Sequence, residues 1–169
     1  MEKTFAMILP SCMKYTSRVE KEMEDAKLKI ESSAIIHLTQ DQAKELCAKW
    51  HEDQSFQLRV KMLSSAEVKV YALSGNGAIK KWNKLIGPKD PAANEAKWAQ
   101  LRCKFANALY YVLTLDNGFY GSETQADAKR ELGLMKKWGY LKTPWSSDKL
   151  EQITHLLLFL FSKKLFYPK

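Results

Sequence analysis

The sequence predicts a mixed α/β sandwich rather than a helical bundle. Short apolar runs typical of β-strands alternate with segments whose apolar residues recur at helical spacing. The 169 residues are enough for one compact domain. Apolar residues make up 46% of the chain and aromatic residues 11%, which excludes an intrinsically disordered chain. The predicted element order is β-α-β-α-β-α-loop-β-α.

The first half of the chain is predicted to contain a strand over 4–9, a helix over 15–27, a strand over 29–38 and a helix that begins near 40. Pro10 ends the first strand, since proline cannot donate to a β-ladder. Thr39 has the position of a helix N-cap, and Gln42 three residues later completes a capping box.

The second half is predicted to contain a strand over 68–73, a helix over 78–86, a loop over 87–91, a strand over 108–115 and a helix that ends near 136. Two prolines and a glycine within five residues exclude a helix in the loop. Residues 116–118, with the sequence Asp-Asn-Gly, are a turn signal. Ser122 with Gln125 predicts a capping box at the start of the helix that follows.

We predict two regions, a folded domain over 1–138 and a linker with an apolar C-terminal helix over 139–169. Asp148 and Glu151 have the spacing of a capping pair. The helix after them is apolar on nearly every face and cannot be left in water. It is therefore either buried against its own domain or docked into a partner, and 145–169 is the predicted docking element.

The charge is uneven along the chain. Lys and Arg number 27 against 19 Asp and Glu, a net charge of +8, and residues 61–104 carry nine basic and three acidic side chains. A basic surface attracts polyanions such as nucleic acid, nucleotide phosphates or the acidic wall of a microtubule. A lysine-rich face that is only solvated and binds no partner would have the same excess of basic residues. No RNP motif, zinc-finger spacing or Gly-rich KH loop is present, so the sequence argues against nucleic acid as a partner.

The cysteines and the apolar segments predict an intracellular protein without a membrane anchor. Three widely spaced cysteines, an odd number, favour a reducing compartment over a disulfide framework. The apolar stretch from Ile153 to Phe161 is about half the length of a membrane-spanning helix. The first residues lack the features of a signal peptide.

Four motifs resemble those of nucleoside diphosphate kinases, in family order and over roughly residues 3–135. They are Thr4-Phe5-Ala6-Met7-Ile8-Leu9-Pro10, Leu85-Ile86-Gly87-Pro88-Lys89-Asp90-Pro91, Leu101-Arg102-Cys103-Lys104-Phe105 and Asn117-Gly118-Phe119-Tyr120-Gly121-Ser122. The resemblance implies an α+β fold with a ferredoxin-like βαββαβ core, whose antiparallel sheet is covered by helices. The apolar C-terminal helix would be an addition to that core.

The resemblance also implies a degenerate active site. The family transfers phosphate through a phosphohistidine that precedes Gly-Ser, and Tyr120 occupies that place here. A phenol with a pKa of about 10 is a poor nucleophile at neutral pH. Leu9 replaces a phosphate-binding lysine, Cys47 a tyrosine and Asn83 an arginine. We therefore predict no catalytic residues.

Four residues match nucleotide-contacting positions and would form a vestigial nucleotide cleft. Phe56 matches the base-stacking position, Arg102 a phosphate contact and Asn117 a ribose and phosphate contact, whereas Lys89 replaces a phosphate-binding threonine. Ser122 and Glu131, which orient the histidine in active members, survive. Each of these residues also has a purely structural alternative: core packing for Phe56, a surface ion pair for Arg102, a turn for Asn117, helix capping for Ser122 and a solvated helix face for Glu131.

The predicted function is that of an inactive scaffold component of a large assembly, for which the resemblance suggests the ciliary or flagellar axoneme. Other proteins, including tubulin, would dock through 145–169 and the basic surface of 61–104, in a cytoplasmic or cytoskeletal location. The alternatives are a regulatory module that binds a nucleotide, with Mg²⁺, without turnover, and a weakly active kinase. Otherwise no cofactor or metal is expected, and the oligomeric state is left open.

Overall fold

The computed structural model describes residues 1–90, 93 and 96–142. The predicted C-terminal helix, its capping pair and the docking element over 145–169 lie outside these ranges. The described chain forms one four-stranded antiparallel sheet with helices on both faces, as the resemblance implied.

The strands are β1 (Glu2–Ile8), β2 (Lys29–Ile36), β3 (Val68–Gly75) and β4 (Phe119–Gly121). They lie in the order β2-β3-β1-β4, and every neighbouring pair is antiparallel. Strand β1 is central, with Ala6 opposite Tyr71 of β3 and Gly121 of β4. Burial on both faces explains why β1 appears in the sequence as an unbroken apolar run.

The helices are α1 (Thr16–Asp25), α2 (Gln40–Leu46), α3 (Phe56–Ser64), α4 (Ala78–Ile86), α5 (Leu101–Phe105), α6 (Ala108–Thr114) and α7 (Gln125–Lys137). Short 3-10 segments follow β1 and α2. The predicted capping box is confirmed at α2, where the Thr39 side chain accepts a hydrogen bond from the Gln42 backbone and Gln42 returns one.

The strand predicted over 108–115 is wrong, because this segment is helix α6. Asn107 caps the helix by accepting a hydrogen bond from the backbone N–H of Tyr110. The free edge of β1 is filled instead by β4, so the fourth strand lies a few residues later than predicted. A short apolar run does not distinguish a strand from a helix by composition alone.

The predicted capping box at Ser122 is also wrong. Helix α7 is capped by Thr124 with Asp127, and the Ser122 hydroxyl donates to the buried Glu131 instead. Helix α3 was not predicted. Its apolar side chains at 56, 58, 60 and 62 alternate along the sequence, a spacing that is typical of a strand.

The core lies on both faces of the sheet. Side chains that alternate along β1 enter two separate apolar clusters, with Phe5 and Met7 in one and Ala6 and Ile8 in the other, and Leu9 just after the strand joins the first. The first cluster is covered by α2, α3 and α7, and the second by α1, α4 and α5. Membrane-spanning helices need about 20 apolar residues, and none of the helices in the described ranges meets that length and apolarity.

Candidate functional site

A cleft of about 230 Å³ opens at the edge of the sheet, where β4 meets β1. Its floor is formed by β1 and β4, one wall by α2 and α3, and the other by α4 and the loop after it, while α6 lies at its mouth. Seven of the eight predicted site residues line this cleft, namely Leu9, Cys47, Asn83, Lys89, Arg102, Asn117 and Tyr120. The eighth, Phe56, is not among the lining residues.

The turn that carries Asn117 is fixed by the buried carboxylate of Asp116. This carboxylate accepts hydrogen bonds from the backbone N–H of Ser11 at 2.9 Å, the Ser11 hydroxyl at 2.7 Å and the backbone N–H of Gly118 at 2.9 Å. Gly118 has φ +84°, and a Cβ there would lie 2.5 Å from the Cys12 sulfur. Only glycine therefore fits this close turn, which places β4 and its side chains beside β1.

Tyr120 lines the cleft and is mostly buried. Its hydroxyl donates a hydrogen bond to Oε1 of Glu131. Its ring is 6.1 Å from the ring of Phe5 and makes an edge contact with Trp50 at 5.9 Å, and the Lys49 ammonium lies 5.5 Å from its centroid. Burial, together with the charge of Glu131, raises the pKa of Tyr120, so the phenol is neutral at physiological pH.

Glu131 is fully buried although it belongs to a surface helix. It lies on the inward face of α7 with Ala128 and Met135, and its second oxygen accepts a hydrogen bond from the Ser122 hydroxyl at 2.6 Å. Arg130 and Lys49 approach its other oxygen at 3.4 and 3.9 Å. Burial raises the pKa of Glu131, while the two hydroxyl donors and the two cations oppose that rise.

Arg102 is 6% exposed and joins the cleft walls. Its guanidinium donates to the carbonyl oxygen of Phe119 at 2.7 Å and to that of Gly87. Its Nε is buried without a hydrogen-bond partner within the described ranges. Burial lowers the pKa of Arg102 to about 10, so the side chain still carries its charge at neutral pH.

The remaining polar side chains of the cleft are engaged in contacts with the protein. Lys89 forms an ion pair with Glu123 at 2.9 Å, and Asn117 donates to the carbonyl oxygen of Lys89 at 2.7 Å. Asn83 donates to the carbonyl oxygens of Ile79 and Ser122 at 3.0 and 2.7 Å. The Asn117 bond holds the loop after α4 against the turn before β4, and the Lys89 and Asn83 contacts join that loop and α4 to the residues after β4.

Part of the cleft lining is apolar. Leu9 is 3% exposed and packs in the same cluster as Cys47. Burial raises the pKa of the Cys47 thiol to about 11, so it is not ionised at neutral pH. Phe56 is partly buried at the start of α3, with its ring 5.5 Å from that of His51.

Several cleft residues were missed by the sequence reasoning. Trp50 lies under two cations, the Lys49 ammonium at 4.5 Å and the Arg59 guanidinium at 4.9 Å. Trp50 and Arg59 line the cleft, and Tyr111 and Leu115 of the α6 segment also reach it. The sequence did not indicate that Tyr111 and Leu115 line the cleft, because their segment was predicted to be a strand. No group of His, Cys, Asp and Glu side chains suited to a metal ion occurs within 1–90, 93 and 96–142.

The raised pKa of Glu131 predicts a pH-dependent contribution to stability. Because the folded-state pKa lies above the ordinary value of 4.5, the contribution of Glu131 is complete below pH 4.5 and is lost as the pH rises through the folded-state pKa. We therefore expect the free energy of unfolding of the wild type, relative to Glu131→Gln, to fall as the pH increases from 4 to 8. Urea titrations at fixed pH values measure this difference, and a difference that grows with pH would contradict the raised pKa.

The sheet order, the helices on both faces and the cleft at the edge define an α+β protein of the ferredoxin-like class. The model of the nucleoside diphosphate kinase family matches residues 2–137. The chain belongs to the nucleoside diphosphate kinase family.

Solved structures with the same fold include several nucleoside diphosphate kinases. The enzyme of Aquifex aeolicus is 22% identical, with a TM-score of 0.75, and the match covers 83% of this chain and 99% of that chain. The enzyme of Encephalitozoon cuniculi is 22% identical, with a TM-score of 0.74 and coverage of 89% and 99%. A family protein from Babesia bovis is 23% identical, with a TM-score of 0.74 and coverage of 87% and 96%. Identities at this level show the shared fold.

Proposed function

We propose that this chain is a member of the nucleoside diphosphate kinase family that does not transfer phosphate and serves as a structural component of a larger protein assembly. The proposal depends on one observation. The cleft is lined by a phenol hydrogen-bonded to a buried glutamate, and neither of the two histidines in the described ranges lines the cleft. His37 contacts the carbonyl oxygen of Ser64, and His51 packs against Phe56.

The environment of Tyr120 is unsuited to attack on phosphorus. A phenol must lose its proton to become a good nucleophile, and burial raises the pKa of Tyr120 above its usual value of 10. Glu131 accepts a hydrogen bond from the Tyr120 hydroxyl. A carboxylate is a much weaker base than a phenolate, so the proton stays on the phenolic oxygen of Tyr120. Leu9 offers an apolar side chain where the family resemblance places a phosphate-binding lysine.

The absence of catalysis is tested by mixing the purified full chain with radiolabelled ATP and a nucleoside diphosphate. We expect neither exchange of label nor acid-labile phosphate on the protein, with the Aquifex aeolicus enzyme as the active control. Tyr120→Phe is the matched variant, since it removes the hydroxyl that transfer through Tyr120 would require. Exchange that is present in the wild type and lost in Tyr120→Phe would contradict the proposal.

The basic surface of 61–104 supports contact with an acidic partner. Lys61, Lys80, Lys84 and Lys97 are exposed, whereas Lys69 and Lys104 pair with glutamates of α1. We propose this surface and the segment 145–169 as contacts in the assembly, with the axonemal microtubule as the acidic lattice. The segment lies outside the described residues.

Microtubule co-sedimentation tests this part of the proposal. We expect the full chain to pellet with microtubules at low salt and to be released as the ionic strength rises, because the attraction is electrostatic. Lys80→Glu/Lys84→Glu, one turn apart on α4, should weaken binding at least tenfold. Lys21→Glu on the exposed side of α1 is the matched control and should bind like the wild type. Failure to pellet at low salt would remove the microtubule from the proposal.

Nucleotide binding without turnover is the second candidate function. Arg59, Lys89 and Arg102 place three cations around a cleft that also holds the rings of Trp50 and Tyr111. A ligand that binds only the folded state raises its stability, so ATP with Mg²⁺ should raise the melting temperature if this candidate is correct. Arg59→Met, which leaves the core intact, should reduce the shift, and an unchanged melting temperature at millimolar ATP would exclude the candidate.

A further inference from the structure

Helix α6 presents a contiguous apolar face to solvent. Leu109, Val112 and Leu113 are 72, 71 and 66% exposed, and Tyr110 beside them is 44% exposed. Leu109, Val112 and Leu113 are spaced three and four residues apart and therefore share one side of the helix. The sequence of α6 contains no charged residue. Single exposed apolar side chains are ordinary, whereas a continuous group of them marks a surface that another element covers.

The opposite side of α6 already holds the helix in the fold. Tyr111 and Leu115 face the cleft, and α6 packs against α3. Tyr110 borders a shallow groove of about 400 Å³ that also contains Tyr15 and Phe105, whose rings stack at 4.6 Å. The exposed face is thus not required to attach α6, and an aromatic groove lies directly beside it.

The chain continues for 27 residues beyond Lys142, and this segment has the composition to cover the face. Seven of the nine residues from Ile153 to Phe161 are apolar, and residues 152–161 contain no charged side chain. A neutral apolar segment can cover a neutral apolar helix without desolvating a charge.

The position of the last described residues also favours this C-terminal segment as the cover for the exposed face of α6. Leu141 is buried in the apolar cluster that contains Val60 and Leu63 of α3, the helix against which α6 packs. Residues 143–149 span up to roughly 23 Å when extended. A helix with its side chains is about 10–12 Å across, so this span is enough to pass α3 and reach α6 on its other side.

We propose that residues 150–161 of the same chain dock on the face of α6 formed by Leu109, Val112 and Leu113. The contact is intramolecular and goes beyond the proposed structural function. Because the segment is apolar on nearly every face in its sequence pattern, docking by one side leaves other apolar residues for a partner in the assembly.

Hydrogen exchange of the full chain, followed by mass spectrometry, tests the contact. In the wild type we expect protection of peptides from 150–161 that does not depend on protein concentration. Leu109→Glu/Val112→Glu should raise exchange of these peptides at least tenfold and leave β1 and β3 protected, because both positions are exposed. Ile35→Glu, at a β2 position that is 57% exposed, is the matched control and should leave 150–161 protected.

Leu157→Glu in the segment is the reciprocal variant and should increase exchange in 108–114, again with β1 and β3 unchanged. Three results would overturn the proposal: rapid exchange of 150–161 in the wild type, protection that survives Leu109→Glu/Val112→Glu, or protection that appears only as the protein dimerises. The last result would assign the face to a second copy of the chain. Loss of this contact does not affect the phosphotransfer test, so the two proposals can fail separately.

Discussion

Gly121→Ala is expected to lower the free energy of unfolding by about 3 kcal/mol. A Cβ at this position would lie 2.3 Å from Cδ1 and 2.5 Å from Nε1 of Trp82. Trp82 is fully buried, and its Nε1 donates to the carbonyl oxygen of Tyr120 at 2.9 Å, so the ring cannot move away without losing that bond. Chemical denaturation followed by fluorescence measures the change.

Gly133→Ala is the matched control for this prediction. It lies within α7, and an added Cβ there meets no atom within 4 Å. Since alanine favours the helix over glycine, we expect this variant to gain roughly 0.5–1 kcal/mol. In a Trp82→Phe background the cost of Gly121→Ala should become smaller, which a double-mutant cycle isolates. A Gly121→Ala protein within 0.5 kcal/mol of the wild type would contradict the close approach.

Glu131→Ala is the second substitution for which we expect a large effect, a loss of about 3 kcal/mol in the free energy of unfolding. The side chain is fully buried and accepts hydrogen bonds from the hydroxyls of Tyr120 and Ser122. Alanine would leave both hydroxyls without this acceptor and would open a cavity between α7 and the edge of the sheet. The Ser122 oxygen also accepts from the backbone N–H of Phe5 at 3.3 Å, so the same network reaches the central strand.

Glu123→Ala is the matched control, because Glu123 is a cleft glutamate that is 47% exposed and pairs with the exposed Lys89. An exposed ion pair contributes at most about 1 kcal/mol, so this variant should remain close to the wild type. Tyr120→Phe and Ser122→Ala should each cost about 1 kcal/mol. Equal stability losses for Glu131→Ala and Glu123→Ala would show that the buried network does not stabilise the fold.

The sequence predicted the parts of the site that belong to a continuous motif. Tyr120, Asn117, Arg102 and Lys89 were identified from short segments, and the structure brings them to one cleft. The contacts of those side chains were not predictable. Arg102 reaches two carbonyl oxygens, and the partner of Lys89 is the cleft residue Glu123, which no motif pointed to.

The burial of the Glu131 side chain could not be inferred from its position on a helix. A glutamate on an amphipathic helix is usually solvated, but here Ala128 and Met135 turn the same side of α7 towards the sheet. The two hydroxyls that donate hydrogen bonds to the buried carboxylate belong to β4 and to the residue after it. The pairing of β4 with β1 brings them close to α7. Such a pocket depends on residues distant in sequence.

The amino-acid sequence by itself determined the positions of the first three strands along the chain and the capping of α2, because these follow from local periodicity and capping chemistry. It indicated the ferredoxin-like fold only through the motifs that resemble nucleoside diphosphate kinases. Tertiary structure alone decided that 108–114 is a helix, since the edge of β1 that a strand would need is taken by β4. It also decided which polar groups are buried, because a hydrogen-bond partner at a distant position offsets the cost of removing a charged side chain from water.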